Sequence, residues 1–140
     1  MEVFVLITKK TEYAIRALIQ LGLSNTEAPV QLSHLAQQCG LSVAILEQVF
    51  GLLKKSGIVQ STRGAQGGYQ FAVPSSKISL IQIIQAVSGP IQLINASMDS
   101  DPLSEVWEEA RQGVCEQLDR PLTELIQRVQ QQKGVANYAI

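Results

Sequence analysis

Apolar residues recur along this chain in two rhythms, and the places where one gives way to the other mark out its elements. Across residues 9–21, Tyr13, Ala14, Ala17, Leu18 and Leu21 fall at the three- and four-residue spacing that lines one face of a helix, with Thr8 placed to cap it. After a polar loop over 24–29, Leu32, Leu35 and Ala36 set the same period for a short second helix. Cys39-Gly40 interrupts it. Ser42 then offers an oxygen to the free N–H groups of a new helix start, and Leu46, Val49, Phe50 and Leu53 form one side of that third helix. Its other side is left with Val43, Ala44, Glu47, Gln48, Gly51 and Lys54. The last turn carries Lys54 and Lys55, where positive charge suits the helix dipole, before Ser56-Gly57 closes it.

The rhythm then shortens to two. Residues 58–62 are β-branched and alternating, 63–68 are a glycine-rich turn, and 69–73 alternate again, which predicts a β-hairpin. Residues 73–76 read as a turn, because Pro74 has no N–H to give a sheet. Across 78–87, Leu80, Ile83, Ile84 and Val87 return to helical spacing and predict a core helix under the hairpin, closed by Gly89-Pro90. Residues 91–102 hold no period and predict a loop. From 103 to 118, Leu103, Val106, Trp107, Ala110, Val114 and Leu118 stripe a long helix whose other faces carry Glu105, Glu108, Glu109, Arg111 and Glu116. Asp119-Arg120-Pro121 breaks it. A short final helix follows with Leu122, Leu125, Ile126 and Val129, and the polar run from 130 to 140 reads as a frayed tail.

Two helices joined by a tight glycine-containing turn match the helix-turn-helix pattern, whose second helix enters a DNA major groove, and a hairpin directly after it is a wing. The expected fold is mainly α with a small β-hairpin wing: a winged helix-turn-helix over 1–88, a loop over 89–102, a long C-terminal dimerisation helix with a short helix over 103–133, and a tail over 134–140. A lone long helix beyond a complete small domain must bury its stripe on something. The simplest partner is the same helix of a second copy.

Charge complicates a nucleic-acid reading, since the 140 residues carry a net −1 and phosphate neutralisation needs Lys and Arg. Its distribution answers part of the difficulty: residues 1–77 hold seven cations against four carboxylates, a surplus of three, whereas 78–140 hold four against eight. The basic half is the half with the helix-turn-helix. Length and 46% apolar composition suit one domain, and two cysteines far apart give neither a disulfide framework nor a metal-binding pair. Residues 1–7 carry Glu2 where a secretion signal would be positive, and the apolar run 78–94 is broken by Gln82, Gln85, Gly89 and Pro90, so the expectation is a cytoplasmic protein with no membrane partner.

Candidate chemistry concentrates on the third helix and the wing. Gln48 has the amide that pairs bidentately with adenine, and Glu47 can accept from cytosine N4. Arg63, the only charged residue between Lys55 and Lys77, suits a narrow minor groove. Lys9, Lys10, Lys54 and Lys55 are candidate phosphate contacts. Ser42, Val43 and Ala44 open the helix, and Gly64, Gly67 and Gly68 let the wing backbone come close to another surface. His34 has no second ligand at metal spacing and reads as a surface or capping residue. One histidine, with no phosphate-binding loop and no nucleophile motif, leaves no machinery for an enzyme.

Leu46-Glu47-Gln48, then residues 54–59 (KKSGIV) and 63–69 (RGAQGGY), resemble the recognition helix and wing of the IscR/NsrR/CymR-type winged-helix repressors, the Rrf2 family. Residues 8–18 resemble that family's opening helix, Val106-Trp107 resembles the start of its dimerisation helix, and the likeness covers roughly 6–125. The resemblance implies a homodimer whose Glu47 reaches base edges. It also implies an opening helix lying between the DNA-binding body and the dimer helix. Many members sense through an iron–sulfur cluster held by three cysteines in the loop before that helix; residues 89–103 here contain no cysteine and no histidine, so no cofactor is expected. Glu12 matches a carboxylate ligand of some members, which leaves Glu12 and Cys115 as the remaining cluster-ligand candidates.

The reading is a sequence-specific, DNA-binding transcriptional regulator acting as a homodimer on a palindromic operator in double-stranded DNA. Its rival is a winged-helix interaction scaffold that holds a partner with its acidic half and has weak or no specific DNA binding.

Overall fold

Thr8, extended at the chain's first cap, turns its hydroxyl back to accept from the Thr11 N–H, and from there helix α1 (Lys9–Leu23) runs through the middle of the molecule. The computed structural model describes residues 7–24, 27–93 and 102–138, the last five by backbone alone. Ala14, Ala17 and Leu18 of α1 are fully buried and Leu21 nearly so, because four further helices close around them. Tyr13, expected on the same stripe, is half-buried.

Helix α2 (Leu32–Cys39) ends at Gly40, whose φ of 68° turns the chain left-handed so that Leu41 N–H donates to the Ala36 carbonyl at 2.9 Å. A residue with a Cβ would strain at this turn, which sets α2 against α3 (Val43–Lys55). Ser42 Oγ accepts from Ile45 N–H at 3.2 Å to start α3. At its far end Ile58 N–H reaches back to the Leu53 carbonyl at 3.0 Å. Strands β1 (Val59–Thr62) and β2 (Gly68–Phe71) then pair antiparallel, Val59 opposite Phe71 and Thr62 opposite Gly68. Both are shorter than their alternating runs: Ile58 N–H closes α3 while its carbonyl accepts from Ala72 at 3.0 Å, and Val73 stands exposed before Pro74.

A single 3-10 turn (Ser75–Lys77) leads to α4 (Leu80–Ser88), which starts two residues later than its apolar period suggests. Ile78 is held out of the helix by backbone bonds, donating to Ser75 at 3.3 Å and accepting from Leu122 at 2.7 Å. Ser79 and Gln82 form a reciprocal capping box at 3.3 and 2.9 Å. Helix α4 packs on α1 and α3 rather than beneath the wing. Its last residue, Ser88, bonds Thr11 and Thr8, so the hydroxyl of Thr11, the buried polar residue of the core, is satisfied.

Helices α5 (Pro102–Leu118) and α6 (Leu122–Tyr138) complete the chain, and α6 corrects two expectations. It is 17 residues long, with 130–138 helical rather than frayed, since Gln and Lys are good helix formers even without an apolar stripe. It also belongs to the body formed by the first four helices: Leu122 is fully buried, Ile126 is 8% exposed, and both join the core against α1. A backbone bridge between Ser79 and Pro121, with Leu80 N–H donating to Arg120 at 2.8 Å, fixes that return. Most of the expected 89–102 loop, and the end of the expected tail at 139–140, lie outside the described residues.

Candidate nucleic-acid interface

Helix α3 is sunk to half its depth. Leu46, Val49, Phe50 and Leu53 are fully buried, and the residues between them, Val43, Ala44, Glu47, Gln48, Gly51, Lys54 and Lys55, stand exposed along the opposite face. A helix gripped on one side by four core side chains presents its other side in a fixed orientation. Every α3 residue assigned from the sequence to DNA lies on that exposed face, with Ser42 exposed at its start.

The wing is tied to this helix from behind. Phe50, on the buried side of α3, meets Tyr69 of β2 edge to face, ring centres 5.1 Å apart and planes at 69°. Val30, immediately before α2, exchanges two 2.8 Å backbone bonds with the same Tyr69, and Gln31 Nε2 donates to the Ala65 carbonyl at 3.2 Å, holding the tip. These ties escaped the sequence reading, which ended the loop at Pro29 without pairing Val30 to anything and treated Tyr69 as one more residue of a strand. Arg63 is exposed where the chain leaves β1, and Gly64 beside it faces open space.

Gly67 and Gly68 are placed differently from Arg63. A Cβ on Gly67 would lie 2.1 Å from the Thr62 carbonyl oxygen, and one on Gly68 would lie 2.4 Å from that of Val30. Close packing within the wing itself therefore demands both glycines.

Lys54, Lys55 and Arg63 make no ion pair among the described residues, which leaves three cations free on or beside the exposed face. Lys9 is partly engaged, 3.5 Å from Glu12, and Arg16 lies 2.6 Å from the same carboxylate. The Arg16 hydrogen bond, aided by Lys9, holds the Glu12 carboxyl below its ordinary value of 4.5.

The donor set does not fit a three-thiolate cluster. Cys39 ends α2, and burial pushes its thiol up, away from the thiolate a metal needs. Cys115 lies on α5 with Arg111 Nη1 at 3.7 Å, and Glu12 is committed to Arg16. Among the described residues no three His, Cys, Asp or Glu side chains gather to hold a metal ion, and His34 stands exposed on α2.

No residue of α5 is buried among those described, and its expected dimerisation stripe opens bare: Leu103 is 57%, Val106 51% and Trp107 38% exposed. Ala110 is exposed as well, whereas Val114 and Leu118 are half-buried. Among the described residues no helix is long and apolar enough to cross a membrane.

The sequence profile of the Rrf2 family, described as iron-dependent transcriptional regulators, matches residues 7–132. The chain is 35% identical over 114 residues to the transcriptional regulator CymR of Bacillus subtilis, covering 81% of this chain and 83% of that one. It is 32% identical over 122 residues to IscR of Photorhabdus laumondii, covering 87% and 66%. A helix-turn-helix regulator of Haemophilus influenzae is 39% identical over 87 residues, 62% of this chain and 58% of its own. The chain thus spans from just over half to about four fifths of the length of these curated relatives. The solved structure of B. subtilis CymR, titled the global cysteine regulator of that organism, superposes with a TM-score of 0.79 at 33% identity, covering 89% of this chain and 98% of that one.

Proposed function

This chain belongs to the Rrf2 family of transcriptional regulators, and from that premise we propose that it binds specific sites in double-stranded DNA as a homodimer. The observation that carries the reading is the pairing of an exposed, core-gripped α3 face with a wing locked to the same helix through Phe50 and Tyr69. A recognition helix must keep its orientation while its outer face stays bare, and α3 does both. In this reading Glu47 and Gln48 face base edges, Arg63 enters the flanking minor groove, and Lys54, Lys55, Lys9 and Lys10 contact phosphates. Ser42, Val43 and Ala44 bring the helix start to the bases, and Gly64 gives the wing tip a close approach.

The second subunit enters through α5. Leu103, Val106 and Trp107 form an exposed apolar stripe that no other described residue buries, and pairing with the same stripe of a second copy removes it from water while carrying two α3 helices to half-sites about one helical turn, or a multiple, apart. The protein would act in the cytoplasm, where its DNA is, and without a family-type cluster, because its two cysteines and committed Glu12 supply too few ligands.

Retention of a labelled operator as salt rises tests the reading. About eight phosphate contacts across a dimer give a slope of log affinity on log salt near −7. A flat salt response would reject the phosphate contacts and favour the interaction-scaffold reading.

A further inference from the structure

Helices α1, α5 and α6 carry Glu12, Glu105 and Glu124 in their first turns, where a carboxylate complements the helix dipole; α3, like α2 and α4, carries none, and it opens Val43-Ala44-Ile45. Ile45 turns inward to the core. Val43 does not: it is 40% exposed, a branched apolar side chain at a position where β-branching disfavours the helix. Ala44 is exposed beside it, and Glu47 and Gln48, three and four residues on, lie on the same helical face one turn further. The Ser42 hydroxyl accepts from Ile45 N–H and so caps the helix just before them.

A major groove offers one apolar feature to a side chain, the C5-methyl group of thymine. We infer that Val43 and Ala44 read thymine methyl groups, so that each half-site carries thymine facing the first turn of α3 and the bases read by Glu47 and Gln48 follow next to it. The inference rests on the proposed docking of α3 in the major groove and adds the base that its apolar end selects.

The test begins with the full-length protein and a random duplex pool, from which the bound sequence is selected. Fluorescence anisotropy then compares that operator with duplexes in which single thymines are replaced by deoxyuridine, which differs only by the absent methyl. Burying one methyl contributes about 0.8 kcal/mol, so the expected loss is about fourfold at one or two thymines in each half-site. In Val43→Ala and Ala44→Gly variants that loss should shrink towards none. Both changes are at exposed positions, and circular dichroism verifies that the variants are folded.

Specific binding in which every deoxyuridine duplex matches the thymine operator would overturn the methyl reading while leaving the docking of α3 intact. The same holds for a discrimination that persists unchanged in both variants. A pool from which no sequence is enriched would overturn the docking itself, and the inference with it.

Discussion

Alanine substituted for two helical glycines should move stability in opposite directions. Gly51 lies mid-helix on the exposed face of α3, and a Cβ there would meet nothing within 4 Å. Alanine is favoured over glycine in a helix interior by about 0.8–1.0 kcal/mol, so Gly51→Ala should stabilise the protein by about 1 kcal/mol and raise its melting temperature by roughly 3–5 °C. Gly22 lies near the end of α1, where a Cβ would come 2.4 Å from Ile126 Cδ1 and 3.2 Å from its Cγ1. Ile126 is 8% exposed and seated in the core, so it must shift; overpacking of this kind costs about 1–3 kcal/mol against a helix gain of at most about 1 kcal/mol. The net expectation for Gly22→Ala is a loss of about 0–2 kcal/mol, a separation of about 1–3 kcal/mol between the two variants. Urea denaturation of both, with equal slopes, measures it. If Gly22→Ala stabilised as much as Gly51→Ala, α6 would not be seated on α1 and its return to the core would be wrong. Gly51 carries a second consequence: an exposed helix that forgoes the stabler residue leaves room for a surface to approach, so Gly51→Ala should weaken operator binding while raising stability.

Gly68→Ala should detach the wing, because its Cβ would collide with the Val30 carbonyl and its φ of 147° strains any L side chain; proteolysis should become faster at residues 63–67, and unchanged cleavage would contradict the packing. The Glu12 carboxyl, followed by NMR, should titrate below 4.5, and Arg16→Gln should return it towards that value. Since its folded value is depressed, the stabilisation from its ion pairs is present above the unfolded value and fades as pH falls below 4.5 through the folded one; an unshifted midpoint would remove the pairing. Protein purified without oxygen should show no iron–sulfur absorption bands, and a coloured protein with stoichiometric iron would overturn the cluster-free reading.

The third helix and wing were legible in the sequence because burial and solvent exposure divide them residue by residue: Leu46, Val49, Phe50 and Leu53 against Glu47, Gln48 and Lys54 leave one orientation. Helix α1 was equally clear from its small apolar stripe. The return of α6 was not, because its anchor is a backbone bridge from Ser79 to Pro121, and backbone pairing leaves no mark on side-chain pattern. The same applies to Val30, whose pairing with Tyr69 fixes the wing. Gly67 and Gly68 were visible as glycines, but their reason, carbonyl oxygens closer than a Cβ tolerates, belongs to the folded chain.

Selection of bound fragments from random DNA by the intact protein and by Glu47→Ala and Arg63→Ala variants tests the docking of α3 and the wing most directly. The intact protein should enrich a two-fold symmetric sequence. Glu47→Ala should relax selection at one base pair per half-site by about 1–3 kcal/mol, and Arg63→Ala should weaken preference for the flanking A·T step. Enrichment of one identical sequence by all three proteins, at equal affinity, would contradict the assignment of these residues to the bases.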